Sequence, residues 1–125
     1  MDKVIRIYRD DEYALKLEFD FTGATELKEM FMKSLEEGKA GIQISNSFLE
    51  DYKPINVFRV TNQGNPSELT YNDGEFILEL DTDIIEFCID RFNDSVSKSD
   101  FIPAEICDVD YKDFELTIYG IVIGE

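Results

Sequence analysis

The sequence contains no histidine, and this absence removes the simplest catalytic and metal-binding chemistries. Histidine is the most common general base near neutral pH and the most common ligand of transition metals. Serine and cysteine are present, but no histidine is available to activate them, and no G-x-S-x-G motif occurs. We therefore expect a protein that is not an enzyme and that needs no metal or cofactor.

Cysteine is also scarce, since the chain has two, Cys88 and Cys107. Cys88 falls on the apolar face of a predicted helix and Cys107 in a predicted strand. Both are interpreted as small buried hydrophobic side chains. Two thiols alone do not make a metal site, and whether they meet stays open.

Long apolar runs are absent as well. No stretch approaches the roughly 18 apolar residues that a membrane span needs. The first residues, MDKVIRIYRDDE, are charged throughout and lack the apolar run of a signal peptide. We expect a soluble, cytoplasmic protein that does not enter a membrane.

The residues that are present predict one folded domain, residues 1–125. The chain is 43% hydrophobic and has 10 phenylalanines and 6 tyrosines, enough for one sizeable core. No linker, low-complexity tract or internal repeat is visible.

Hydrophobic periodicity predicts strands and two helices in the order ββαβββ(β)αββ. The predicted strands are residues 4–8, 13–19, 40–45, 55–61, 68–71, 75–80, 104–111 and 114–123, with one strand of the middle group optional. The predicted helices are residues 25–37, capped by Thr22 or Thr25 and stopped by Gly38, and a second helix that opens at Asp81 or Thr82. Because hairpin-like links predominate, we expect an α+β fold: an antiparallel or mixed sheet of about six to seven strands with two helices packed on it.

The net charge of −16 is the strongest functional signal, and it is unevenly spread. Residues 72–115 hold 14 acids and 3 bases, a balance of −11, whereas residues 1–71 hold 13 acids and 9 bases, a balance of −4. Such a surface repels nucleic acid and anionic lipid and attracts basic proteins. The three bases within residues 72–115 are too few to neutralise the 14 acids of that segment.

The acidic stretch EICDVDYKDFE, residues 105–115, fits neither a metal loop nor a catalytic pair. Counted from Asp108, a calcium loop of the EF-hand type needs Gly at position six and Glu at position twelve, where the chain has Asp113 and Tyr119. Asp108 and Asp110 alternate with Cys107, Val109 and Tyr111, which places both carboxylates on the wet face of a strand. Wet carboxylates keep ordinary pKa values and are poor proton donors at neutral pH.

A solvated acidic surface beside aromatic residues is the remaining interpretation, and it favours a basic protein partner. The candidate partner-binding residues are Asp83, Glu86, Asp90 and Asp94 on the second helix, Asp108, Asp110, Asp113 and Glu115 near the C-terminal strands, and Tyr111 and Tyr119 as aromatic anchors. The alternative interpretation is that the aromatics belong to the core and the acids only solubilise the protein.

In size, α+β layout and charge, the chain resembles the small acidic immunity proteins of bacterial polymorphic-toxin and contact-dependent inhibition systems. The resemblance implies an inhibitor that neutralises a basic, nuclease-type toxin by blocking its active cleft, without contacting nucleic acid itself. Three alternatives stay open: a DNA mimic that inhibits a nucleic-acid-binding protein, a non-catalytic scaffold, and an enzyme or ligand-binding domain whose site is assembled from distant residues, with Arg6, Arg9 and Arg59 converging on an anion.

Overall fold

The computed structural model describes residues 4–50, 53–62, 67–97, 104–111 and 114–123, which form two helices and eight strands. The strands are β1 (Ile5–Asp11), β2 (Ala14–Phe19), β3 (Lys39–Glu50), β4 (Lys53–Asn62), β5 (Glu68–Asn72), β6 (Glu75–Leu80), β7 (Ala104–Tyr111) and β8 (Phe114–Val122). The helices are α1 (Phe21–Glu37) and α2 (Thr82–Ser97). The predicted α+β class, with a mixed sheet and two packed helices, is confirmed.

The predicted number of strands is wrong, since the described sheet has eight strands rather than six or seven. All segments of the middle group form strands, because the short β5 pairs with both β6 and β7. The strands close into a barrel in the order β1-β2-β8-β7-β5-β6-β4-β3. Strands joined by hairpins pair antiparallel, and the contacts β1–β3, β2–β8, β4–β6 and β5–β7 are parallel.

The two halves of the chain repeat one arrangement, ββαββ. In the first half (β1, β2, α1, β3, β4) and in the second half (β5, β6, α2, β7, β8), corresponding strands form the same antiparallel and parallel pairs. The junctions also correspond in register, since Leu15 lies opposite Ile118 and Phe76 lies opposite Phe58. This structural repeat is not visible in the sequence, because the halves share strand pairing and turn positions rather than residue identities.

The helix starts show the same correspondence. The Asp20 side chain accepts from the backbone N–H of Gly23 at 2.7 Å, and the Asp81 side chain accepts from that of Ile84 at 2.9 Å. These carboxylates satisfy N–H groups that have no partner within the helix. Helix α1 thus begins at Phe21, four residues before the predicted start, because Asp20 rather than Thr22 or Thr25 is its cap.

A chain of phenylalanine rings runs through the core from one side of the barrel to the other. The rings are Phe19 of β2, Phe92 of α2, Phe31 of α1, Phe58 of β4 and Phe76 of β6, and neighbouring rings meet edge to face. Phe31 and Phe92 occupy the same position relative to Asp20 and Asp81, and their centroids are 5.1 Å apart. The two halves therefore meet through equivalent aromatic side chains, which fix the helices on the sheet.

Candidate functional site

The outward side chains of β7 and β8 form one surface, which we call the acidic face. It consists of Glu105, Asp108, Asp110, Glu115, Thr117 and Tyr119. Across the hairpin, Glu105 lies opposite Tyr119, Asp108 opposite Thr117, and Asp110 opposite Glu115. The alternating side chains Ile106, Cys107, Val109, Leu116 and Ile118 are buried, so the core holds the hairpin in this orientation.

A β-bulge shapes the acidic face by adding a carboxylate that strict alternation would have placed inside. The pairing register shifts between Glu105 and Cys107, and both Ile106 and Cys107 are buried. Glu105 therefore points to the same side as Asp108. Glu105 is absent from the predicted site. Strict alternation would place it with the inward Cys107 and Val109, and the bulge that turns it outward has no clear signal in this sequence.

The carboxyl groups of Glu105 and Asp108 lie close enough to share a hydrogen bond. That hydrogen bond, the charge of Asp108 and, more weakly, burial and the charge of Glu115 raise the pKa of Glu105. The charge of Arg91 acts in the opposite direction but does not cancel the shift. The fully charged acidic face is thus under mutual repulsion, which an approaching cation would relieve.

Asp108 is also oriented from the neighbouring strand. The Thr117 hydroxyl donates to its Oδ1 at 2.7 Å. Asp110 and Glu115, directly opposite each other and both exposed, add a like-charge pair that costs stability in a sheet. A surface that keeps such pairs can offer several carboxylates to a cationic ligand.

The helical acids of the prediction form a second exposed group on α2. Asp83, Glu86 and Asp90 are exposed, and Asp94 is half-buried. Between this group and the acidic face lies Arg91, whose guanidinium stands 5.0 Å from the Phe87 ring centroid and whose charge reaches Glu105. The structure thus places the helical and strand acids on adjoining elements with one arginine between them.

The two predicted aromatic anchors have different environments. Tyr119 is 37% exposed on the acidic face, so its role as an anchor stays a prediction. Tyr111 is 5% exposed, and its hydroxyl lies 3.3 Å from Lys53 Nζ and 3.4 Å from Glu50 Oε2. Because Tyr111 follows the inward alternation of Val109, its ring belongs to the core and cannot serve as a partner anchor. Asp113, another predicted residue, lies outside the described residues.

Five described bases of the first half are paired with carboxylates outside the acidic face. Within the part of the chain that the structure describes, ion pairs join Arg6 to Glu18, Arg9 and Lys53 to Glu50, Lys16 to Asp10, and Arg59 to Glu75. None of these ion pairs includes a residue of the acidic face. Among the described residues, the acidic face therefore has no ion pair with a base of the first half.

These ion pairs also bear on the anion-site alternative. Arg6, Arg9 and Arg59 each have a separate carboxylate partner, on Glu18, Glu50 and Glu75 respectively. They do not converge on one point, and an anion would have to displace a carboxylate at each.

The internal repeat provides a comparison for the acidic face. By strand register, Glu105, Asp108, Thr117 and Tyr119 correspond to Gly41, Gln43, Val57 and Arg59 of the first half. The equivalent surface of β3 and β4 thus has no carboxylate at the positions of Glu105 and Asp108. The fold itself does not require acids there, so their presence on β7 needs a reason other than strand formation.

The two cysteines meet in the core. The Cys107 thiol donates a hydrogen bond to Cys88, and this bond, followed by burial, raises the pKa of Cys107 well above its usual value. The Cys88 thiol in turn donates to the carbonyl oxygen of Ile106, with Sγ 3.7 Å from that oxygen. Both thiols are free and buried. A raised pKa lowers the thiolate fraction, so Cys107 is not suited to nucleophilic chemistry.

No three side chains of the Cys, Asp or Glu type converge in the described ranges so as to hold a metal ion. None of the described helices has the length and apolar character required to cross a membrane.

Comparisons of the chain with protein-family models, with curated proteins and with solved structures found no match. The functional interpretation therefore depends on the geometry and charge of the acidic face.

Proposed function

We propose that the protein is an acidic inhibitor that binds a basic protein through the acidic face, most simply an immunity protein that blocks the cleft of a nuclease-type toxin in the bacterial cytoplasm. The observation that carries the proposal is the one-sided placement of Glu105, Asp108, Asp110 and Glu115 on one hairpin. A nuclease cleft is basic because it binds the phosphates of nucleic acid. Carboxylates held at fixed positions on a rigid strand pair can occupy the positions of those phosphates.

The energies involved are sufficient for tight inhibition. Close charge pairs at a nuclease–inhibitor interface have measured couplings of about 1.5–7 kcal/mol. The acidic face offers several carboxylates on a hairpin that is fixed by buried neighbours, so little ordering cost is expected on binding. Such an inhibitor needs no cofactor and no catalytic group.

The strand geometry favours this inhibitor over a DNA mimic. A mimic needs two carboxylate rows that follow the two phosphate strands. On the acidic face the outward row of β7 is acidic, but the row of β8 continues from Glu115 into Thr117 and Tyr119. One acidic row beside a tyrosine suits a protein cleft better than it imitates a duplex.

The experiment that tests the proposed function is an inhibition assay against the product of a toxin-bearing reading frame next to its gene. We expect a stoichiometric complex, loss of the toxin's nuclease activity, and inhibition that weakens as salt is raised, because salt screens exposed charges beyond about 8 Å at physiological ionic strength. Full nuclease activity in the presence of excess inhibitor would contradict the proposal for that partner.

A further inference from the structure

A depression of about 470 Å³ lies beside the acidic face, on the outer surface between β2 and β8. It is lined by Asp10, Asp11, Tyr13, Ala14, Lys16, Thr117 and Tyr119. Two of these residues, Tyr13 and Tyr119, are large aromatics that are 56% and 37% exposed. The depression therefore combines exposed aromatic rings with carboxylates, which is the chemistry that receives a cation.

The walls of the depression are fixed by the backbone. The N–H of Thr117 donates to the carbonyl oxygen of Tyr13 at 2.9 Å, which ties the β1–β2 turn to β8. The Asp11 carboxylate accepts from the N–H of Tyr13 at 2.8 Å, so it is oriented in the same turn. A ligand would find these groups already in position, and this lowers the cost of binding.

The charges around the depression favour a cationic occupant. The charge of Lys16 is engaged by Asp10, whose Oδ1 lies 3.7 Å from Lys16 Nζ. Beyond that pair, Asp11 stands on one side, and Asp108 and Glu105 stand across β8 as the neighbours of Thr117 and Tyr119. A positive group in the depression would lie beside Asp11, and Asp108 would be one strand away, hydrogen-bonded to the Thr117 hydroxyl of the lining.

The internal repeat indicates which cation fits. The positions of Tyr119 and Ala14 correspond to Arg59 and Glu75 in the other half. There the chain places its own guanidinium, with Arg59 Nε 3.5 Å from Glu75 Oε1. At the equivalent place between β2 and β8, the chain has tyrosine and alanine instead, so the arginine is missing and an open aromatic depression remains.

We propose that this depression receives an arginine side chain of the basic partner, with the guanidinium lying against Tyr13 and Tyr119 and facing the carboxylates of Asp11 and Asp108. Arginine is preferred over lysine because its planar, weakly hydrated guanidinium stacks on aromatic rings while still donating to carboxylates. This inference rests on the proposed function, since it names the partner group that the acidic surface binds.

The experiment titrates the full chain with three capped tripeptides, Gly-Arg-Gly, Gly-Lys-Gly and Gly-citrulline-Gly, and follows the resonances of Tyr13, Thr117 and Tyr119 by NMR. We expect saturable shifts with the arginine peptide, weaker binding of the lysine peptide, and no saturable shift with the uncharged citrulline peptide. Equal response to arginine and lysine would overturn the preference for a guanidinium. The absence of saturable shifts with all three would overturn the site.

Two variants separate this inference from the proposed function. Tyr119→Arg copies the other half of the molecule and fills the depression with an internal cation, so it should remove peptide binding and weaken partner association by about tenfold or more. Phe48→Arg is the matched control, because Phe48 is an exposed aromatic on β3, outside the depression.

If Tyr119→Arg and Phe48→Arg have the same effect on the partner while Asp108 remains essential, the arginine site is wrong and the inhibitor proposal stands. If the arginine peptide binds but charge changes on the acidic face leave the partner unaffected, the inhibitor proposal is the one that fails.

Discussion

Replacement of Asp108 and Asp110 by lysine is expected to slow association with the basic partner by about tenfold or more at low salt. Both residues are exposed on the acidic face and lie outside the core, so the variant should fold. Steering by a charged surface changes association rates by about 10- to 1000-fold, and the effect fades as ionic strength rises. The measurement is the association rate by stopped flow at several salt concentrations, where the variant should also show a flatter salt dependence.

The matched control for this charge reversal is Glu36→Lys with Glu37→Lys. Both glutamates are exposed near the C-terminal end of α1, and the double variant reaches the same net charge as the Asp108 and Asp110 variant. The control should retain most of the association rate, because its charges lie in the first half, away from the acidic face. Equal slowing by the two variants would show that net charge alone matters. An unchanged rate for the Asp108 and Asp110 variant would remove these residues from the interface.

Phe92→Ala is expected to lower the free energy of unfolding by about 3–5 kcal/mol, the range typical of removing a buried aromatic ring. The Phe92 ring is fully buried and meets Phe19 at 5.6 Å and Phe31 at 5.1 Å between centroids. It therefore joins α2 both to the sheet and to α1. Urea unfolding followed by circular dichroism measures the change, with the slope of the transition expected to stay constant.

Phe87→Ala is the control for Phe92→Ala, because it removes the same side chain from the same helix. Phe87 is 45% exposed and contacts Arg91 at the surface, so its loss should cost about 1 kcal/mol or less. Should Phe92→Ala leave too little folded protein to measure, Phe92→Leu keeps most of the volume and should cost about 1.5 kcal/mol or less. Equal losses for Phe87→Ala and Phe92→Ala would contradict the central position of Phe92.

Local signals in the sequence predicted local structure well. The sequence Asn72-Asp73-Gly74, between predicted strands 68–71 and 75–80, is a strong hairpin signal, and it forms the β5–β6 turn with positive φ at Asp73 and Gly74. Gly38 ends α1 at a φ of 90°, and its N–H donates to the carbonyl oxygen of Ser34. The predicted start of α2 is also confirmed, since Asp81 caps it. In each case the residue that sets the conformation lies within a few positions of the feature.

Features that depend on distant contacts were not visible in the sequence. Closure of the barrel depends on single bridges, Tyr8 with Phe48 and Glu68 with Asp110, and no local pattern specifies them. The internal repeat is hidden because apolar residues of different type fill equivalent sites, as with Leu15 and Phe76.

In the candidate site, too, the features that depend on pairing between strands could not be predicted from the sequence. Asp108, Asp110 and Tyr119 were placed correctly at the surface by alternation, but the bulge that adds Glu105 breaks that alternation. The depression beside Tyr119 needs Tyr13 from the far end of the chain, and only the parallel pairing of β2 with β8 brings the two together. The charge distribution in the sequence thus pointed to the β7–β8 hairpin, whereas the position of Tyr13 beside Tyr119 is visible only in the fold.

Concentration of the negative field on the acidic face can be tested directly with a cationic and an anionic nitroxide of equal size. The measurement is the paramagnetic relaxation that each nitroxide causes at the amide protons. The ratio of the two relaxation rates reports the local potential at each residue. We predict a higher cation-to-anion ratio at Glu105, Asp108 and Thr117 than at Gly41, Gln43 and Val57, their equivalents in the first half. Equal ratios in the two sets would show a field spread evenly around the molecule and would contradict the account.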